Sequence, residues 1–150
     1  MTSFKYISSE TNTTFNDMVF STAGRTDLVF SVLACKEARV ALSQIPGVLT
    51  HYTYELVIGT QENSLTVLKN GIDGPTLTQV TTPGILDCAV NRNFWITWKD
   101  GTLSFGNGTV PEGNRILYHR DSNMYPINAV SVMTPLGVKG NFTFGRSAGY

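Results

Sequence analysis

The densest group of directed hydrogen-bond formers in this 150-residue chain is His119-Arg120-Asp121, followed by Asn123 and Tyr125. An imidazole, a guanidinium, a carboxylate and an amide beside an aromatic ring suit a ligand rich in hydroxyl groups. Each polar group supplies fixed donors or acceptors, and the ring supplies an apolar face. Trp95, Lys99 and Asp100 form a second candidate group, and Glu62-Asn63 a third; His51-Tyr52 stays outside these groups. Covalent chemistry has far less behind it. His51 and His119 are the two histidines, and no nucleophile-elbow pattern accompanies them, so a triad assembled with Asp121 or Cys88 has no motif to support it. The eleven carboxylates are scattered among turns rather than paired for glycoside hydrolysis. Two distant cysteines and two distant histidines fall short of a metal site. No catalytic residue, metal ligand or cofactor is therefore assigned.

The elements that must carry these groups read as strands. Nearly every apolar segment is short, β-branched or aromatic, and bounded by turn residues such as Asn70-Gly71, Asp73-Gly74-Pro75 and Pro83-Gly84. The expected strands are Lys5–Ser8, Asp17–Ser21, Leu28–Cys35, Ala38–Ser43, Thr53–Ile58, Ser64–Lys69, Thr76–Thr81, Leu86–Val90, Phe94–Trp98, Thr102–Gly106, Arg115–His119, Ala129–Met133 and Gly140–Phe144. This pattern predicts an all-β fold, a single-domain antiparallel β-sandwich of jelly-roll type. Asp100-Gly101 is a two-residue hairpin signal, because a type I′ turn needs positive φ at both central positions. Folding there pairs Trp98 with Leu103, Ile96 with Phe105 and Trp95 with Gly106. One face becomes Phe94, Ile96, Trp98, Leu103 and Phe105, a core. The other is Trp95, Thr97, Lys99, Thr102 and Ser104, polar apart from one indole, which is either a stacking platform or covered by a second sheet or subunit. Phe30, Tyr54, Phe105 and Phe144 read as packing.

Charge narrows the partners. Eleven basic residues balance eleven acidic ones, which argues against nucleic acid and anionic lipid surfaces. No apolar run approaches the roughly 20 residues of a membrane span, so membrane insertion is not expected, and the N-terminus lacks the apolar stretch of a signal peptide. Either a mature extracellular protein or a cytoplasmic one fits. Cys35 and Cys88 both fall in expected strands, as two small buried thiols or as one disulfide between facing sheets. Asn12, Asn107 and Asn141 each begin a glycosylation sequon, relevant only to a secreted chain. A doubly wound site for a nucleotide or S-adenosylmethionine needs a Gly-rich turn leading from strand to helix, and no turn here leads into one.

Residues Phe94–Gly106 (FWITWKDGTLSFG) resemble the signature of the farnesoic acid O-methyltransferase-like domain, a small β module of invertebrate proteins. Phe30–Ser43, Tyr54–Gly59 with Asn63-Ser64, and Val130–Thr134 with Gly137 and Gly140 are similar to further blocks of that domain in the same order. The resemblance covers roughly residues 27–146. Thr60-Gln61-Glu62 and Phe142 depart from the family's usual residues. The name implies methyl transfer, whereas relatives of this kind also include lectins and non-catalytic modules.

The resulting expectation is a non-enzymatic carbohydrate-binding protein that recognises a terminal glycan sugar, galactose-type, on glycans or glycoconjugates. Its ligand residues would come from Glu62, Asn63, Trp95, Lys99, Asp100, His119, Arg120, Asp121, Asn123 and Tyr125. A single shallow sugar site is weak, so a homo-oligomer, dimer or tetramer, is expected to supply avidity. The alternatives are an isoprenoid methyltransferase or carrier, and a structural protein-interaction module.

Overall fold

The computed structural model describes residues 2–8 and 19–146. The sequon at Asn12, residues Asp17 and Met18 of one expected strand, and the tail ending at Tyr150 lie outside the described residues. Among those described, the strands are β1 (Thr2–Ser8), β2 (Val19–Ser21), β3 (Asp27–Ala34), β4 (Ala38–Ile45), β5 (Val48–Gly59), β6 (Leu65–Asn70), β7 (Thr76–Thr81), β8 (Arg92–Lys99), β9 (Thr102–Asn107), β10 (Arg115–Arg120), β11 (Ala129–Met133) and β12 (Gly140–Arg146). They form two six-stranded antiparallel sheets, with orders β1-β12-β3-β8-β9-β10 (sheet I) and β2-β11-β4-β5-β6-β7 (sheet II). Strands far apart in sequence are neighbours in both, as in a jelly roll.

The pleat explains the layering. Along β3, Leu28, Phe30, Val32 and Ala34 are buried while Asp27, Val29, Ser31 and Leu33 are half-exposed, the alternation of a strand with one face on a core. Phe94, Ile96, Trp98, Leu103 and Phe105 face it from β8 and β9, and Val40, Leu42, Tyr54, Leu56 and Ile58 close it from β4 and β5. Phe94 packs at 5.3 Å from Phe105 and 5.9 Å from Phe30, ring centre to ring centre. The hairpin register is Trp95↔Gly106, Ile96↔Phe105 and Trp98↔Leu103, with Asp100 at φ 53° and Gly101 at φ 72°. Both turn residues thus take the left-handed backbone that the dipeptide signalled.

The outer face of sheet II holds a buried charge. Glu55 on β5 is fully buried; its Oε1 accepts from the Asp73 amide at 2.9 Å, and its Oε2 lies 3.8 Å from Arg39. Arg39 also meets Glu37 at 2.6 Å and Asp73 at 3.5 Å. Burial pushes the Glu55 carboxyl above the usual carboxylate range, against the Asp73 amide and the Arg39 charge.

Two expectations are corrected. Leu86–Val90 is not a strand: the Asn63 side chain accepts from the Leu86 amide at 3.0 Å and donates to its carbonyl at 2.8 Å, and Asp87 Oδ1 accepts from the Ala89 amide. Side chains, not a ladder, satisfy these backbone groups. The cysteines are not buried thiols. Cys35 and Cys88 form a disulfide at the exposed end of the sandwich, with Cα atoms 4.2 Å apart. It ties the irregular segment after β7 to the β3–β4 turn. Of the remaining sequons, Asn107 is exposed at the end of β9 and Asn141 is half-buried within β12.

Candidate functional site

At the opposite end of the sandwich, β5 departs from regular pairing. Val48 pairs with Ile45 and Thr53 with Ser43, so Leu49–Tyr52 bulge out opposite Gln44 alone. Tyr52 takes φ 52°, and its ring stands 58% exposed. The next inward-facing residue, Tyr54, is 1% exposed. Tyr125, on the chain between β10 and β11, sits between them, stacked on Tyr54 at 4.8 Å and meeting Tyr52 edge-on at 5.5 Å.

Hydrogen bonds hold this aromatic stair. The Tyr54 hydroxyl donates to Asp121 Oδ2 and accepts from the Tyr125 amide, each at 3.2 Å. The Tyr125 hydroxyl donates to Asn70 Oδ1 at 2.9 Å. Asp121 Oδ1 accepts from the Asn123 amide at 2.8 Å, which closes the turn that delivers Tyr125. Burial pushes the Tyr54 hydroxyl up to about 12. Beside the stair lies an open depression of about 310 Å³ lined by Leu49, Thr50, His51, Tyr52, Thr53, Asn70, Gly71 and Tyr125. It joins an exposed ring to an imidazole, an amide and a phenol, so it can accept a flat apolar patch and hydrogen-bond the hydroxyls around it.

The expected site residues are distributed as follows. Tyr125 lines the depression, with Asp121 and Asn123 holding it from behind. Lys99, Asp100 and Arg120 line a separate groove of about 220 Å³ on the outer face of sheet I. His119 pairs with Leu103 and Arg120 with Thr102, so the pleat sends these two neighbours to opposite faces. The contiguous triplet is therefore not a single site. Trp95 is not a stacking platform: it is fully buried, and its Nε1 donates to the Gly113 carbonyl at 2.6 Å. The cover is the β9–β10 connection of the same chain, not a second sheet or subunit. Glu62 and Asn63 follow the far end of β5, where Glu62 pairs with Lys36 at 3.0 Å and both amide atoms of Asn63 are spent on Leu86. Neither reaches the depression. His51, Tyr52 and Asn70 were outside the expected set. The aromatic-imidazole adjacency was visible, but the bulge that exposes it was not.

A family profile described as farnesoic acid O-methyl transferase matches residues 2–148. The chain belongs to this family. Two relatives of the family member are recognisable by sequence. Uncharacterized protein 5 of Haliotis asinina is 30% identical over 105 residues, covering 70% of this chain and 60% of that protein. A BTB/POZ domain-containing protein of Arabidopsis thaliana is 26% identical over 115 residues, covering 71% of this chain and 14% of that protein. The chain thus spans less than two thirds of either relative. Among solved structures, a native glycosidic hydrolase has a TM-score of 0.54 at 11% identity, over 85% of this chain and 68% of that one. A carbohydrate binding module of Bacillus subtilis has 0.51 at 9% identity, over 83% and 78%. A prokaryotic β-1,3-1,4-glucanase (lichenase) from a mouse hindgut metagenome has 0.50 at 9% identity, over 95% and 78%. At these identities the likeness is one of fold.

Proposed function

We propose that this family member is a non-enzymatic carbohydrate-binding module that takes a terminal sugar in the His51–Tyr52–Asn70–Tyr125 depression. The observation that carries the reading is Tyr52, 58% exposed and braced edge-on against Tyr125. An exposed ring held in place by a second ring supplies a pyranose with a preformed apolar platform at little ordering cost. Asn70 and His51 stand at its border for the hydroxyls. The volume of about 310 Å³ is at the small end of ligand pockets and suits one or two sugar rings. A galactose-type sugar is the finer form of the proposal, because its axial 4-hydroxyl leaves one continuous C–H face for stacking. The carbohydrate binding module with the shared fold supports the class of ligand.

Multivalent display through a dimer or tetramer, and an extracellular setting, belong to the same proposal. The Cys35–Cys88 disulfide supports an oxidising compartment. A glycan array probed with the purified protein tests the reading, followed by titration of the best neutral sugar into Tyr52→Ala. Binding that falls at least tenfold in the variant is the expected result. No binding to any glycan at high protein concentration, or unchanged affinity in the variant, overturns it.

The family's description favours a second reading, methyl transfer to an isoprenoid acid. The described residues do not fit a methyl donor bound at a helix N-terminus: their one helical segment is the four-residue turn Thr60–Asn63, with Gln61 and Glu62 left-handed. Calorimetric titration with S-adenosylmethionine separates the readings, since a methyltransferase must bind its donor.

A further inference from the structure

The groove on the outer face of sheet I has a chemistry that the Tyr52 depression lacks. Strand alternation brings Lys99 of β8, Thr102 and Ser104 of β9, and Arg120 of β10 to one surface, through the pairs Lys99↔Thr102 and Thr102↔Arg120. Arg115 and Glu112 complete the lining with Asp100. Lys99, Arg115 and Arg120 are all exposed, and none has an ion-pair partner among the described residues.

The charges in the groove do not cancel. Glu112 accepts from the Thr97 hydroxyl, which anchors the covering loop, and Asp100 occupies the left-handed hairpin tip. Three cations against these two carboxylates leave one net positive charge. Arg115 lies 4.2 Å over the Tyr118 ring, which restrains its guanidinium before any ligand arrives. The half-exposed Thr102 hydroxyl and the carboxylate of Asp100 remain for a partner that carries hydroxyls of its own, while Ser104 is buried at the floor. A ligand with one negative charge matches this net charge, and each further negative charge adds repulsion from Asp100 and Glu112.

The groove also adjoins the aromatic stair. Asp121 holds Tyr54 through its carboxylate, and its amide donates to the Gly101 carbonyl at 2.9 Å in the hairpin that carries Lys99 and Asp100. One residue thus links the stair behind the depression to the hairpin that carries part of the groove.

We infer that this groove is a second subsite, for a monoanionic saccharide bearing one carboxylate or one sulfate ester. The inference rests on the carbohydrate reading above and extends it to the charge of the ligand. Methyl β-galactoside, its uronate counterpart and its 6-sulfate are titrated into the wild-type protein, with inorganic sulfate as the non-saccharide control. The anionic sugars are expected to bind roughly tenfold tighter than the neutral one, as a charge-assisted contact implies. That advantage should shrink as salt rises and vanish in Arg115→Gln and Arg120→Gln, whose folding is checked by thermal melting. Inorganic sulfate should bind much more weakly than either anionic sugar.

Equal affinity for all three sugars, or an anionic advantage that survives both substitutions, overturns the subsite. Sulfate binding as tight as the sulfated sugar overturns its saccharide character. Binding of the anionic sugars without the neutral one, unaffected by Tyr52→Ala, supports the groove and removes the Tyr52 depression from the proposed function. Silence with every sugar overturns both.

Discussion

The indole of Trp95 fills the space beside Gly106 on the neighbouring strand, where a Cβ would overlap ring carbons and the indole nitrogen. The ring is held at its Nε1 edge by its hydrogen bond to the Gly113 carbonyl. Gly106 is therefore required for space, since its backbone is ordinary strand. Gly106→Ala is expected to destabilise the fold by about 3 kcal/mol through overpacking. Urea denaturation followed by tryptophan fluorescence measures it, because Trp95 and Trp98 are the two indoles. A loss under about 0.5 kcal/mol, the range of an ordinary surface change, would mean that the indole moves aside freely.

The Tyr54 hydroxyl, pushed up to about 12 by burial, makes stability depend on alkaline pH. In the unfolded chain it ionises near 10, so from pH 10 upward the unfolded state holds fewer protons than the folded state. Stability is then fully present below pH 10 and is lost as pH rises towards 12, by about 2 to 3 kcal/mol across the window. Denaturation midpoints at pH 9, 10 and 11 should show this decline, and Tyr54→Phe should flatten it. An identical slope in the variant would rule out Tyr54 as its source.

Arg39 is the cation nearest the buried Glu55. Arg39→Met leaves that carboxylate unpaired and is expected to cost about 3 kcal/mol at pH 7. Burial already raises the Glu55 pKa against the pull of Arg39, so losing Arg39 raises it further. The deficit relative to wild type should therefore narrow as pH falls through the Glu55 pKa, and Glu55→Gln combined with Arg39→Met should recover part of it at pH 7. Strict additivity of the two substitutions would show that the pair is not coupled.

Cys35 and Cys88 are separated by 53 positions in sequence. Closing a loop of that length removes unfolded-state entropy worth about 4 kcal/mol. The Cys35→Ser and Cys88→Ser double variant should melt at correspondingly lower temperature without losing its far-ultraviolet β signature. Hydrogen exchange should accelerate first near Leu86–Val90, which the disulfide and the Asn63 side chain hold together. Acceleration spread evenly over both sheets would argue against a local tie.

Local signals determined much of this protein. The alternation of apolar residues and the Asp100-Gly101 turn specify the β8–β9 register and the core positions Phe94, Ile96, Trp98, Leu103 and Phe105, because pleat and turn sterics act between near neighbours. The order of the same blocks specifies the family. The site was less legible. Tyr125 was among the expected residues and Trp95 was too, yet one lines a depression and the other is sealed under a loop. Both are aromatic residues near polar ones, and only a covering segment distant in sequence separates their fates. Likewise His119 and Arg120 are adjacent in the chain and opposed across the sheet, and Tyr52 reaches solvent through a bulge that no residue pattern marks. Short-range geometry belongs to the sequence itself; which surfaces remain open is decided by long-range packing, where each loop must find a place to bury its own apolar atoms.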